Sequence, residues 1–436
     1  MAYGIPSTAL AVITKLSLAM AVAALAACGG GGGESTSSTD VSQSSADALK
    51  AKRSASPGLI VGEASQVDTT TSGDQTVRAV GAVSDGGYAV AWLSRTDASN
   101  AVRLYMQRYD NVGRKAGAEI LVPVDLDSQT NPAIAVMRDG SVVVSYASSK
   151  PVSGAEPWIV KSAVYTRRFN AAGAAVGGET EVTSIVQNTL GAQALYYVAD
   201  PAIATWDDGK YLIAWASIED SYVGKAPTFQ AQRYDSTGSA LGAPVSAGRG
   251  DVNTSFKLTA IPDGRYAIAT YHRLMGQTYV TFGIGDGGGR IGALYDADFG
   301  LPASSTTLLP LSDGRFTLWS SNRNGAYVQM LDQSGSAAGS PAAVAALPES
   351  ASALGNGGYA TFSRTAAAGT LVGQRFDSTG AALGDAFEFQ AGGEPPMTAS
   401  LIGGGLAMGW SAAGTAGDLD VFTRRFQEAT IAAKIR

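Results

Sequence analysis

Short apolar runs separated by Asp-Gly and Asp-x-x-Gly turns extend along most of the chain. The clearest copy begins at Asp85, continues through Tyr88 to Trp92, and ends at Tyr109-Asp110 with a glycine three residues later. The starts of successive copies lie 43 to 69 residues apart, and this spacing is typical of stacked supersecondary units that cannot bury their apolar faces alone. Weaker copies of the Asp-Gly position occur at Asp139, Asp208, Asp263, Asp313, Asn356 and Gly403.

Each unit predicts four short antiparallel strands. A run of small and apolar residues, such as 132–136, precedes the Asp-Gly dipeptide, where Gly accepts the positive φ of a hairpin turn. The second strand ends near an aromatic residue, and the third ends in Gln-Arg-Tyr-Asp or a relative, as at 232–235. The glycine three residues after that Asp marks a second turn, which a short fourth strand such as 387–389 follows.

Four strands per unit and about seven units predict an all-β chain folded as a single seven-bladed β-propeller, with six or eight blades as alternatives. A solenoid of stacked sheets is the competing interpretation. The Ala- and Gly-rich first strands suit the crowded centre of a ring. Segment 58–67 resembles a fourth strand without its own unit, whereas the last unit reaches Phe426 and lacks a fourth strand. We expect this segment to close the ring by pairing in the last blade, because closure removes exposed sheet edges.

The repeat pattern over residues 58–436 resembles that of large bacterial secreted and surface proteins, some of them of the calcium-binding haemolysin type. The resemblance rests on the order Asp-Gly, Trp, Gln-Arg-Tyr-Asp and Gly. Those proteins bind calcium through Gly-Gly-x-Gly-x-Asp nonapeptides, which this sequence lacks. The resemblance therefore carries no calcium site to this chain.

Residues 1–27 are predicted to be a signal peptide, because Lys15 precedes an apolar stretch too short for a permanent membrane span. The tetrapeptide Leu-Ala-Ala-Cys that ends at Cys28 resembles the bacterial lipobox, in which the cysteine is acylated and becomes the new N-terminus. An ordinary signal peptide with an incidental cysteine is the alternative. Because Gly29 rather than Asp follows, the resemblance favours an outer-membrane lipoprotein that faces the periplasm or the cell surface.

Residues 28–57 are predicted to be a flexible tether, and residues 58–436 the propeller domain. The tether begins with the acylated Cys28 and continues with five glycines and a Ser/Thr-rich run, a composition that cannot bury a core. Cys28 is the only cysteine of the 436-residue chain, so no internal disulfide can form. We therefore expect the membrane to be a partner through the lipid anchor.

Composition and motifs predict no catalytic residue, no metal site and no cofactor. The net charge of -6 argues against a nucleic-acid partner, and the single histidine, His272, excludes a His-based zinc site. Turn geometry accounts for the repeated Asp residues. The repeated arginines are expected to pair with acids or backbone carbonyls of neighbouring strands, with a ring that binds an anionic ligand as the alternative. These arginines are Arg108, Arg168, Arg233, Arg375 and Arg425.

Insertions at 148–157, 187–200, 217–227 and 283–289 should crowd one rim of the ring over the second to fourth blades. Long loops on a rigid scaffold commonly bind ligands, and these carry residue types favoured in contact surfaces. The candidate binding residues are Trp158, Tyr196, Tyr197, Tyr222 and Lys225.

The leading hypothesis is a membrane-anchored, non-enzymatic binding or scaffolding module with an envelope protein or glycan as partner. The alternative is a propeller enzyme that acts on polysaccharide with paired carboxylates. Glu156, Glu219 and Asp220 are the carboxylates on the rim that such an enzyme would use.

Overall fold

A computed structural model describes residues 59–428 apart from 70, 96–101, 127–131, 190–193, 222–227, 250–255, 275–276, 286–294, 298–304, 323–324, 356, 366, 368 and 415–416. The regular secondary structure of these residues consists of β-strands, which form seven sheets. The predicted all-β, seven-bladed propeller is confirmed. No helix in the described ranges is long and apolar enough to cross a membrane.

The strands are numbered in chain order and grouped by blade. The N-terminal segment contains β1 (Leu59–Val61) and β2 (Ser65–Gln66). Blade 1 contains β3 (Asp74–Ala82), β4 (Tyr88–Arg95), β5 (Val102–Tyr109) and β6 (Ile120–Leu126). Blade 2 contains β7 (Ala133–Val136), β8 (Val142–Pro151), β9 (Ile159–Phe169) and β10 (Ala175–Asn188). Blade 3 contains β11 (Ala194–Thr205), β12 (Tyr211–Ser221), β13 (Thr228–Tyr234) and β14 (Ala240–Arg249).

The remaining blades follow the same order. Blade 4 contains β15 (Phe256–Ala260), β16 (Tyr266–Leu274), β17 (Gln277–Gly285) and β18 (Tyr295–Ala297). Blade 5 contains β19 (Ser305–Pro310), β20 (Phe316–Asn322), β21 (Gly325–Leu331) and β22 (Ala342–Val344). Blade 6 contains β23 (Ser350–Ala353), β24 (Tyr359–Arg364), β25 (Thr370–Phe376) and β26 (Ala382–Gln390). Blade 7 contains β27 (Met397–Ser400), β28 (Leu406–Ala413) and β29 (Leu419–Glu428).

The first strands of the blades form the inner wall of the ring. Each contacts the first strand of the next blade, in the closed order β3, β7, β11, β15, β19, β23, β27 and again β3. Small residues permit this approach. A Cβ atom added to Gly81 of β3 would lie 2.5 Å from the Cβ of Val136 in β7. The Ala- and Gly-rich first strands thus serve the crowded centre, as the sequence indicated.

The N-terminal segment closes the ring in blade 7. Both β1 and β2 pair with β29, where Val61 lies opposite Phe426 and Gln66 opposite Phe422. The Val67 N–H then donates to the Val421 carbonyl at 2.8 Å. The predicted closure is therefore confirmed, and strands from the two ends of the described chain complete one sheet.

Two buried carboxyl groups lie at this closure. Asp68 is 5% exposed and accepts the Val421 N–H at 2.9 Å, while Asp420 is 3% exposed and accepts from the Gln66 side-chain amide at 3.1 Å. Among the described residues, Asp68 Oδ2 and Asp420 Oδ1 have no hydrogen-bond partner. Burial raises the pKa of Asp68 to about 6. The charge of Asp420 also raises this pKa, whereas the hydrogen bond from the Val421 N–H lowers it.

The Asp and Arg of the repeat form contacts within a blade. Asp85 Oδ1 accepts the Gly87 N–H at 2.8 Å, and its Oδ2 lies 3.1 Å from the Arg108 guanidinium. Arg168 and Asp139 repeat this ion pair in blade 2 at 2.9 Å. The expected pairing of the repeated arginines with acids is confirmed at these two positions, where the side chains support the hairpins.

The Gln of the repeat has a structural role that the sequence analysis did not assign. Its amide donates to the carbonyl of the next residue and to that of a glycine ten residues further on, for example from Gln107 to Arg108 and Gly117 at 2.9 and 3.1 Å. Gln232, Gln329 and Gln374 do the same in blades 3, 5 and 6. The Gln thus holds the turn between the third and fourth strands.

Aromatic rings pair at the beginning of the second strand and the end of the third. Tyr88 stacks on Tyr109 with ring centroids 4.7 Å apart. Tyr211 and Tyr234 stack in the same way at 4.9 Å, and Tyr359 stacks on Phe376 at 4.8 Å. Cross-strand aromatic pairs of this kind stabilise a sheet beyond the area that they bury. The repeat therefore encodes an aromatic pair at the end of the sheet that carries the Asp-Gly turn.

Gly81→Ala should destabilise the ring. Its methyl group would meet the Val136 Cβ at 2.5 Å and the Val136 carbonyl oxygen at 2.9 Å, so the two inner strands must separate. Overpacking of this kind costs about 1–3 kcal/mol in the free energy of unfolding, measured by urea denaturation. Gly178→Ala is the matched control, because an added Cβ there meets nothing within 4 Å. Equal stabilities of the two variants would refute the tight approach.

Asp68→Asn should change how stability depends on pH. Because the pKa of Asp68 is raised to about 6 in the folded state, the folded state binds more protons than the unfolded state between about pH 4 and pH 6. The carboxyl therefore lowers stability as pH rises through 6. The Asn variant should exceed the parent by on the order of 1–3 kcal/mol at pH 8, with little difference near pH 4, in urea denaturation.

Asp235→Asn supplies a control of opposite sign. The Thr237 hydroxyl and neighbouring N–H groups lower the pKa of Asp235, so this carboxylate contributes stability that is lost as pH falls through its folded pKa. Asn170 accepts the equivalent turn hydrogen bonds in blade 2, so Asn preserves the turn. This variant should be less stable than the parent at neutral pH and equal to it in acid. The same pH trend in both variants would contradict the assignment to Asp68.

Candidate functional site

Antiparallel order within each blade separates the connections onto two faces of the propeller. The Asp-Gly turns and the turns between third and fourth strands lie on one face, defined here as the turn face. Connections between second and third strands, and those from blade to blade, lie on the opposite face, defined as the loop face. In a rigid scaffold, the longer connections are the usual place for binding.

Blade 2 extends far beyond its own first strand on the loop face. The last pair of β7 with β8 joins Ala133 to Ser145, yet β8 and β9 continue for six more residue pairs, up to Pro151 opposite Val160. Six residues of strand span about 20 Å. The outer strand β10 follows as far as Asn188, which lies opposite Ile159.

Blade 3 extends beside it. Strand β11 begins at Ala194, opposite Ser221, and contacts β8, β9 and β10 of blade 2. The buried Ser162 hydroxyl accepts the Val198 N–H at 3.2 Å and the Ser149 hydroxyl at 2.9 Å, which ties the two blades together. We call residues 146–162, 181–189, 194–199 and 216–221 the blade 2–3 extension.

The expectation of long loops here needs correction. Residues 148–151, 187–188, 194–199 and 217–221 form paired strand instead, because pairing satisfies backbone N–H and C=O groups that a loop would leave to water. Residues 152–157 do form a turn, between β8 and β9. The insertions do lie on one face, as predicted for blades 2 and 3. Segment 283–285 belongs to β17, and 286–289 lies outside the described residues.

The predicted binding residues fall into two groups. Trp158 lies half-buried in the β8–β9 turn, where its carbonyl accepts both the N–H and the hydroxyl of Thr189 at 2.8 and 2.9 Å. Tyr196 and Tyr197 lie in β11 rather than in a loop, with their side chains outside the description. Tyr222 and Lys225 lie outside the described residues. The structure thus places Trp158, in a turn, and the two tyrosine positions of β11 in the same extension.

The described surface of the extension mixes apolar and charged groups. Val186 of β10 is 59% exposed. Lys161 of β9 pairs with Glu181 of β10, and this contact raises the pKa of Lys161 and lowers that of Glu181. Exposed apolar surface beside charged groups that are already paired is suited to contact with another molecule.

The carboxylates proposed for an enzyme do not form a described site. Glu156 is exposed at the tip of the β8–β9 hairpin. Glu219 and Asp220 lie in β12, opposite Tyr196 and Leu195. His272 lies in β16. The structure describes the backbone of these three residues but not their side chains. Among described residues, no group of three or more His, Cys, Asp or Glu side chains is placed to hold a metal ion.

Sequence reasoning missed Ser162, whose hydroxyl joins two blades. It also missed Arg78, which lies in the innermost strand of blade 1 between Val77 and Ala79. An arginine between Val77 and the small, apolar residues 79–82 of the first strand was a readable signal at Arg78. Ser162 offered no comparable signal, because a serine in a strand is ordinary and only the neighbouring blade gives it a role.

No protein-family model and no curated protein matches this chain. Solved structures do resemble it. A protein of unknown function from Dyadobacter fermentans shares 12% identity at a TM-score of 0.48, over 85% of this chain and 100% of that one. The β-propeller domain of the Trilobed protease from Pyrococcus furiosus shares 10% identity at a TM-score of 0.46, over 84% of this chain and 100% of that one. The α-L-arabinofuranosidase Arb93A of Fusarium graminearum shares 12% identity at a TM-score of 0.41, over 78% of this chain and 98% of that one. These similarities concern the fold alone.

Ser162→Ala should loosen the junction of blades 2 and 3. The substitution leaves the Val198 N–H buried without its acceptor, which costs about 1–3 kcal/mol in the free energy of unfolding. Hydrogen exchange at the Val198 amide should accelerate with it. Ser149→Ala is the control, since it removes a donor to Ser162 but keeps the acceptor for Val198. Unchanged exchange at Val198 in Ser162→Ala would show that the extension is held by other contacts.

Proposed function

We propose that the chain is an envelope lipoprotein whose propeller is a non-enzymatic binding module. Acylation of Cys28 anchors it in the outer membrane, and residues 29–57 hold the ring away from the lipid surface. The blade 2–3 extension supplies the binding surface for an envelope protein or glycan. The single observation that carries the binding role is this extension, which continues well beyond the inner wall of blade 2.

Preorganisation supports binding at the extension. Its strands are paired to Val160 and Asn188, and the Ser162 contact fixes blade 3 against blade 2. A partner therefore meets a surface whose backbone is already ordered, and association avoids much of the entropy cost of fixing a loop. The exposed Val186 offers apolar area on that surface.

The engagement of nearby carboxylates also favours binding over glycan hydrolysis. Glu181 is paired with Lys161, and Glu179 at the base of the extension accepts the Tyr146 hydroxyl. A glycosidase requires one carboxyl group free to donate a proton and a second aligned across the scissile bond. These two side chains instead hold neighbouring strands together.

Site-specific photo-crosslinking in intact cells tests the proposal. A photoreactive residue at position 186 should yield one defined adduct, because Val186 is 59% exposed on the extension. The same residue at position 112 is the matched control, since Val112 is 58% exposed but lies in a turn on the opposite face. Adding Cys28→Ala to the position-186 variant should remove the protein from the membrane fraction and abolish the adduct.

Two results would contradict the proposal. Equal adducts from positions 186 and 112 would show non-specific proximity, and no adduct from position 186 would remove the binding role of the extension. Membrane retention of the Cys28→Ala protein would separately refute the lipid anchor. The two parts of the proposal can therefore fail independently.

A further inference from the structure

Two arginines of blade 1 lie near the junction with blade 7. Arg95 ends β4 opposite Asp74, and Arg78 lies in β3 at a register shift between Val77 and Ala79. A β-bulge of this type leaves its extra residue outside the regular alternation and re-aims the side chain. Both arginines are half-buried.

Neither arginine has a hydrogen-bond or ion-pair partner in the described part of the chain. The Nε atoms of Arg78 and Arg95 are both buried without an acceptor. By contrast, Arg364 on the loop face binds both oxygens of Glu349 at 2.7 and 2.8 Å. Arg168, whose Nε also lacks an acceptor, still forms an ion pair with Asp139 through Nη2. A buried donor without an acceptor costs free energy, more so when it belongs to a charged group.

The nearby carboxylates do not accept hydrogen bonds from these two arginines. Glu394, in the segment that leads to β27, attracts Arg78 but forms no ion pair with it. The Asp74 carboxylate opposite Arg95 accepts the Leu419 N–H instead. Burial lowers the pKa of Arg78, and the charge of Arg95 acts in the same direction, so the two guanidinium groups repel each other. Both nevertheless remain charged, because arginine does not lose its proton in proteins.

We propose that Arg78 and Arg95 together bind an oxyanion: a carboxylate, sulfate or phosphate group. Planar guanidinium groups present N–H pairs that match two oxygens of such a group, and charge-assisted hydrogen bonds of this kind are strong. The anion would satisfy the buried donors and screen the repulsion between the two cations. The site lies on blade 1, so it does not depend on the binding role proposed for blades 2 and 3.

Thermal unfolding of the full-length chain in detergent tests the site with sulfate, phosphate or acetate at millimolar concentration, each against chloride at equal ionic strength. At least one oxyanion should raise the melting temperature of the parent by about 2 °C over chloride, since a ligand that binds only the folded state stabilises it. The anion with the largest effect identifies the preferred group. Acetate would indicate a carboxylate, and sulfate or phosphate a tetrahedral anion.

Arg78→Gln and Arg95→Gln should each abolish that difference, and titration calorimetry should show binding of the preferred anion weakened at least about tenfold. In chloride, Arg78→Gln should melt no lower than the parent, because the substitution removes the repulsion. Arg103→Gln is the control: it removes the same charge from an exposed position of β5 and should keep the oxyanion effect.

Sulfate and phosphate also stabilise proteins without binding, through exclusion from the surface. An oxyanion effect of equal size in the parent and all three variants would have this origin and would overturn the site. No oxyanion effect over chloride in the parent would overturn it as well. If Arg78→Gln fails to fold, Arg95→Gln and calorimetry on the parent decide the question.

Discussion

Closure of the ring by strand pairing is the constraint on which the rest of this structure depends. Strands β1 and β2 complete the sheet of β28 and β29, and they satisfy backbone groups that an open last blade would expose. Cys28 is the only cysteine, so no internal disulfide supports the closure of the ring. The closure within blade 7 is held by backbone pairing. Blade 7 contacts blade 1 through packed inner strands and through polar contacts such as the hydrogen bond from the Val77 N–H to the Ser411 hydroxyl.

The repeat could be interpreted from sequence because each motif residue acts within its own blade. Asp85 and its equivalents bind the backbone two residues away, and Gln107 bridges a turn ten residues long. The stacked pair of Tyr88 and Tyr109 joins adjacent strands of one sheet. Such contacts have short or regular spacing, so composition and period reveal the blades, their order and the closing strand. The number of blades follows to within one, because each copy supplies one sheet and the N-terminal segment completes the last.

What the sequence could not show depends on contacts between blades. The role of Ser162 exists only because β11 of blade 3 lies beside β9 of blade 2. The insertions are polar and irregular enough to indicate loops, yet β8, β9 and β10 continue as strands because each supplies the hydrogen-bond partners of the next. The same reasoning applies to Asp68, whose raised pKa arises from burial against residues more than three hundred positions away. No local pattern carries that information.

The closure also bears on the buried polar groups that lie in blade 7 and in the adjacent blade 1. Blades 1 to 6 are each built from four consecutive strands, so hairpin connections along the chain keep the strands of each sheet together. In blade 7, strands from opposite ends of the described chain pair instead, and Asp68 and Asp420 lie at that pairing. Arg78 and Arg95 lie in blade 1, into which the chain leads directly from β2. A proton on Asp68 removes a buried charge, and an anion at the arginines neutralises two neighbouring ones. Both events would stabilise the closed ring, so we expect its stability to depend on pH through Asp68 and on oxyanions through the proposed arginine site.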